Sequence, residues 1–285
     1  MLVKTEEFKD IFGNDNFAAV LTRCDNLFTK ENLQLIRELT NEMMDSLSYA
    51  DKITSLTDIE FMVGSEEGMT IEQIVPETIP SDPAQLEEIR HKAYLKPHVA
   101  ERLVSKDGTL SWIILKLRTF PEDSVWNKGK NAVAPEVLTG NELEHIITKD
   151  KYQKLHPKGT GLPYVTAMKM KWISKEMPRV LGIATLISIL ILLLVTRSFR
   201  GVVVPLVTAV GSIIIVYGML GYVGMTIDSG MVMIPMLLTF AVSIAYNIHV
   251  YSYFKRQFLM HGKRTQAVEE TVREMGWPVL FSALT

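Results

Sequence analysis

The chain has 285 residues, 47% of them hydrophobic and 22% charged, with a net charge of −2. That length exceeds one typical domain, and the lack of a basic tract with interleaved aromatics speaks against a nucleic-acid partner. The single cysteine, Cys24, excludes an intramolecular disulfide framework. The scattered histidines (His91, His98, His145, His156, His249, His261) have no cysteine partners at zinc spacing, so no cofactor is expected.

The two halves differ in kind. Residues 1–176 carry nearly all the acids and bases and read as an α+β domain. Phe17–Cys24 follows the turn-like Gly13-Asn14-Asp15-Asn16 and predicts a strand. Thr29 is placed to cap a helix with Glu31 in its first turn, and Ile36, Leu39, Met43 and Leu47 recur at helical spacing. Ile53–Met62 reads as a second strand, and Gly64–Glu87, rich in Pro, Glu and Gly, as a loop with a short helix; Glu66 and Glu67 there look solvated. Leu110–Leu117, behind the Lys106-Asp107-Gly108 turn, is a strand. Asn141–Lys154 is helical, and Pro157–Val165 is an extended connector. The order β-α-β, then β-α-β suggests a split βαβ, ferredoxin-like sandwich.

Positions 180–254 contain three charged residues, Arg197, Arg200 and Asp228, and these fall at the boundaries of stretches long enough to span a bilayer. About 20 apolar residues cross about 30 Å of hydrocarbon, and a charge at its centre costs roughly 2.5–3.5 kcal/mol. Residues 177–254 therefore predict three transmembrane helices, about 179–197, 201–224 and 229–254, with Asp228 capping the third. Residues 255–276 read as a charged segment on the cytoplasmic surface, and 277–285 as the start of a further span that stops short. Met1 opens without the pattern of a signal peptide. Both ends thus read as cut from a larger protein.

Short loops on one side hold Arg197, Arg200, Lys255, Arg256, Lys263 and Arg264; Lys169, Lys171, Lys175 and Arg179 lie on the other. The positive-inside rule thus favours a cytoplasmic Arg197–Arg200 turn and an extracytoplasmic N-terminal domain in the cell (inner) membrane.

The third span carries a polar stripe: Thr239, Ser243 and Tyr246 share a helix face, with Asn247 beside them and His249 a turn past Ala245. Such groups can simply hydrogen-bond neighbouring helices, at about 0.6 kcal/mol each, and a histidine near Lys255-Arg256 can sit at headgroup level; as a set they suggest a polar interior or relay. No Ser/His/Asp or Cys/His arrangement supports an enzyme, and Gly159-Thr160-Gly161 alone does not make a nucleotide site.

The stretch Phe240–Tyr251, followed by Gly262 and Ala267-Val268, resembles the fourth transmembrane helix of RND-superfamily exporters in the MMPL/Patched-like branch. Phe12–Asn16 before a strand, Phe28–Leu33 opening a helix, Gly161-Leu162-Pro163 before the membrane, and Ser282–Thr285 as the opening of a fifth helix fit the same pattern. The resemblance implies the first half of an export permease: a porter domain, helices 2–4 and the start of helix 5. It implies a hydrophobic or amphipathic substrate, lipids among them, moved at the expense of a proton gradient. The implied partners are the bilayer, the substrate, the remaining half of the transporter and, for a homo-oligomer, a second copy. Where the family carries a membrane-embedded Asp before Tyr246, this chain has Ala245, so Ser243, Tyr246, Asn247 and His249 form a relay face without its carboxylate. Three explanations stand open: coupling carried by the other half, substitution by His249, or a non-pumping lipid-binding relative that acts as a sensor or assembly protein.

Overall fold

The computed structural model describes residues 16–65, 68–100, 102–121, 133–225 and 231–284. The Phe12–Asp15 part of the first motif, Glu66, Glu67 and Asp228 lie outside the described residues. The chain divides into two units, Met1–Met170 and Lys171–Thr285.

The first unit is built on a four-stranded sheet of order β2-β5-β1-β6, antiparallel at every pairing. Strand β1 (Phe17–Arg23) lies between β5 (Leu110–Leu117) and β6 (Lys158–Thr160), and β2 (Ala50–Thr54) flanks β5. Register runs from Phe17↔Lys116 to Arg23↔Leu110, and β6 joins through Leu21↔Lys158. Because side chains alternate along a strand, Ala18, Val20 and Thr22 point into the core with Ser111, Ile113, Leu115 and Leu117, all buried.

Helix α1 (Lys30–Ser46) begins at Thr29, whose hydroxyl accepts from the Asn32 N–H. It buries Leu33, Ile36, Leu39 and Met43 at the spacing that makes one apolar face, and Leu47 just past its end continues that face. Helix α4 (Pro135–Ile147) adds Leu143, Ile146 and Ile147 to the same core. It starts six residues before the expected Asn141, with Pro135 in its first turn, where a fixed φ and a missing N–H cost nothing. It also stops earlier than expected. Residues Asp150–Leu155 form a 3₁₀ turn instead, and three residues per turn stack Tyr152 and Leu155 on the buried side.

Between β2 and β5 the chain departs furthest from the sequence reading. The single strand expected over Ile53–Met62 is two, because Ser55 accepts from the N–H groups of Asp58 and Ile59 and turns the chain, while the Ser55 and Thr57 hydroxyls bond each other. The second piece, β3 (Glu60–Ser65), pairs with β4 (Gly68–Gln73) in a separate two-stranded sheet where a loop was expected. The helix expected in that region is α2 (Pro83–Leu95), capped by Asp82, followed by the single turn α3 (Pro97–Ala100). The connector of residues 157–165 contains β6, and helix begins already at Leu162. Gly161 makes the bend between them at φ +104, where a Cβ would come within 2.3 Å of the Phe17 carbonyl oxygen.

One electrostatic clamp ties α1 to the 3₁₀ turn. Glu42 accepts from Lys149, from Lys151 at 2.7 Å and from the Tyr152 hydroxyl at 2.6 Å. Burial pushes the Glu42 carboxyl up, but these three donors outweigh it and hold it at about 2.

The second unit is helical. Helix α5 (Leu162–Thr196) enters it, followed by α6 (Arg200–Tyr222), α7 (Met233–His261) and α8 (Arg264–Leu284). The first three are long and apolar enough to cross a membrane. Their apolar side chains are largely uncovered: Leu194 is 69% exposed and Ile214 66%. An exposed apolar surface of this extent belongs against lipid. A small cluster of Leu192, Val202, Ala209, Phe240 and Ile244 holds α5, α6 and α7 together. The α5–α6 turn is tight. Arg197 takes φ +49, and a Cβ at Gly201 would lie 2.5 Å from the Thr196 side chain, so the turn closes only on glycine. Gly262 ends α7 in the left-handed conformation. Of the surface segment expected over 255–276, the residues up to His261 continue α7, and from Arg264 the rest joins the expected new span in one helix, α8, which runs through Gly276 and Pro278 with Trp277 stacked on Phe281.

Candidate functional site

Helix α7 presents its side chains about 100° apart per residue, so the positions of its polar groups follow from the helix itself. Phe240 and Ile244, with Ile248, turn toward the apolar cluster. The predicted relay residues spread around roughly half the circumference. Asn247 and Ser243 share one side, half-buried. Tyr246 and Thr239 come next, and His249 and Ala245 lie furthest round, both exposed. The structure thus gathers Ser243 and Asn247 but does not bring His249 to them.

Asn247 donates from Nδ2 to the Ser243 carbonyl at 2.8 Å, a bond within its own helix. Beyond it, Val204 and Pro205 of α6 and Val268 and Val272 of α8 border a groove of about 230 Å³ that Asn247 also lines. Asn247 is therefore a polar group at the edge of an apolar cleft. No carboxylate lies in α6 or α7. Serine, tyrosine and asparagine can extend a chain of hydrogen bonds, and His249 is the one imidazole of the set. Among the described residues no cluster of three His, Cys, Asp or Glu could hold a metal ion.

Two further polar contacts and one buried polar side chain were not visible in the sequence. The Tyr217 hydroxyl of α6 donates to the Val232 carbonyl at the entry to α7. Lys255 donates to the Thr196 carbonyl at the end of α5, at 3.3 Å, where a cation suits the negative end of the helix dipole. Gln257 is buried. A polar residue inside a long apolar helix was the available signal, but its partner carbonyl lies far away in sequence.

An α+β unit followed by three helices suited to lipid, one of them carrying a polar stripe, defines a multi-span membrane protein. The chain matches the MMPL family over residues 4–285 and belongs to it, within the RND/MMPL-type superfamily. That membership supports a transporter-like role. No curated protein matches the chain.

Proposed function

We propose that the protein works in export, moving hydrophobic or amphipathic molecules, lipids among them, out of the cytoplasmic membrane. The observation that carries this reading is the family match across 4–285, joined to three membrane-capable helices. In this reading the N-terminal unit is an extracytoplasmic porter domain of split βαβ type. The strand order β2-β5-β1-β6 supports it: β1 and β2 both run antiparallel to the β5 strand between them, so α1 crosses over a strand to connect parallel neighbours. The six basic residues near the Arg197 and Lys263 turns, against four before the first span, support an outward-facing N-terminal unit. No enzymatic step is part of the proposal.

Coupling to a proton gradient needs a group that titrates inside the membrane. Ala245 cannot, and we assign the proton path to a carboxylate outside this helix set, in the other half of the transporter. The second reading, a non-transporting lipid-binding sensor or assembly protein, is favoured by the same Ala245. Energised vesicles containing the full-length transporter separate the two. Gradient-dependent movement of a labelled amphiphile, retained in His249→Ala, is expected. Binding without movement supports the sensor reading, and loss of movement in an inserted His249→Ala protein overturns the assignment of the path.

A further inference from the structure

At one corner of the first unit a cavity of about 830 Å³ opens where β1 ends and β6 begins. Its floor is the sheet face that the helical core does not use. Leu21 and Leu110 are apolar there, and Arg23 and Lys158 flank them. Register fixes this grouping: Lys158 sits opposite Leu21, and Arg23 is two residues further along the same face. Diagonal neighbours of that kind lie about 7–8 Å apart with their Cβ atoms somewhat closer, so the two long side chains can both reach one tetrahedral phosphate. Among the described residues neither Arg23 nor Lys158 has a carboxylate within ion-pair distance, whereas Lys154 at the rim is paired with Glu31. His156, in the left-handed conformation, completes the basic side.

Asp25 and Asn32 also line the cavity. Asn32 is 93% buried, by its 7% exposure. Its amide N–H₂ is used by the Asn26 carbonyl at 2.7 Å, but its Oδ1 has no hydrogen-bond partner among the described residues. With Arg23 and Lys158 lining the same cavity, a neutral donor fits beside Asp25 and Asn32 better than a further positive charge.

We propose that this corner binds a phosphate ester that carries a hydroxyl group, with the phosphate between Arg23 and Lys158 and the hydroxyl toward Asn32 and Asp25. The shared chemistry is that of a glycerol phosphate, free or as the headgroup of a lipid. The site extends the export reading by naming the polar end of a molecule, and rests on that reading only for the idea that this molecule is cargo.

The test is calorimetric titration of the whole chain, in a detergent free of phosphate, with glycerol 3-phosphate, glycerol, and dihexanoyl phosphatidylglycerol. Glycerol 3-phosphate is expected to bind in the millimolar range or tighter, and an R23Q/K158Q protein at least about tenfold more weakly. Both positions are exposed, so this variant keeps its fold, which circular dichroism checks. Lys116→Gln, on the sheet but outside the cavity, leaves binding unchanged. Tighter binding of the short-chain lipid, equally sensitive to R23Q/K158Q, assigns a headgroup; equal affinity assigns a soluble ester. The proposal is overturned if neither phosphate ligand binds, if glycerol alone binds as well, or if R23Q/K158Q binds like the parent. Because no gradient is involved, a failure here is distinct from a failure of transport.

Discussion

The two units differ in how far along the chain their polar side chains find partners. In the first, the helix hydroxyls of Thr40 and Thr139 bond the carbonyl four residues earlier, but other partners are far apart in sequence: Thr22 donates to the Ser111 carbonyl, Ser48 to Glu142 and Tyr152 to Glu42. In the second, most polar side chains turn back on their own helix. Thr196 bonds Leu192, Thr208 bonds Val204, Ser212 bonds Thr208, and Thr271 bonds Ala267, each to the carbonyl four residues earlier. A chain in water keeps its polar groups solvated until tertiary structure forms, so long-range pairs can decide the fold. A helix in lipid has no water to fall back on, and each hydroxyl is matched before any neighbour arrives. The exceptions, Tyr217 and Lys255, reach carbonyls at the ends of neighbouring helices, Val232 at the start of α7 and Thr196 at the end of α5.

The largest contrast is expected from apolar truncation. Leu115 is fully buried in the sheet and Leu194 faces outward on α5. Leu115→Ala should destabilise the first unit by about 3 kcal/mol through lost burial and the cavity left behind. Leu194→Ala should change the packing of the helices by less than about 0.5 kcal/mol. Urea unfolding followed by Trp112 fluorescence reads the first, and proteolytic protection in detergent the second. Equal effects at the two positions would end the distinction between a core held by burial and helices held by lipid.

A smaller effect concerns charge. The Glu42 carboxyl is held at about 2 against an ordinary 4.5. A group depressed in the folded state contributes stability that is complete above its unfolded value and is lost as pH falls through the folded one. The first unit should therefore weaken between about pH 4.5 and 2 by way of this clamp. Glu42→Gln should cost about 1–2 kcal/mol at neutral pH and flatten the profile in that window. Melting temperatures of parent and variant across the range measure both. No matching acid-sensitive clamp is expected from α6 or α7, which contain no carboxylate.

The same contrast explains what could be read from the residues. The Thr29 cap, the apolar face of α1, the Leu110–Leu117 strand and the three spans are local patterns, and each was legible. The break at Ser55, the pairing of Gly68–Gln73 with β3 and the three-residue strand β6 were not, because a partner strand decides them and no local signal names that partner. Gly276-Trp277-Pro278 looks like a helix boundary, yet α8 continues through it. On α7 the positions of Ser243, Tyr246, Asn247 and His249 around the axis follow from the helix repeat alone, so the polar stripe was legible as a set of directions. What faces each one was not. The corner cavity escaped altogether, since Arg23, Asn32 and Lys158 come from two strands and a helix that only the tertiary fold brings together.

The finest test compares two threonines. Thr22 donates its hydroxyl across β1 to the Ser111 carbonyl at 3.0 Å, and Thr208 donates to Val204 within α6 at 2.7 Å. Valine matches threonine in shape and removes only the hydroxyl. At position 22 the change strips a buried carbonyl of a side-chain donor that came from another strand, and a loss of about 1 kcal/mol is expected. At position 208 the Val204 carbonyl keeps its backbone partner in the helix, and the lost bond is offset by the easier transfer of a methyl group into lipid. The change there should lie within about 0.5 kcal/mol of zero. Thr22→Val and Thr208→Val, compared by unfolding of the whole chain in one detergent, measure the difference directly. A cost at 208 as large as that at 22 would mean that the membrane helices also depend on their hydroxyl bonds, and that the division between the units is one of composition alone.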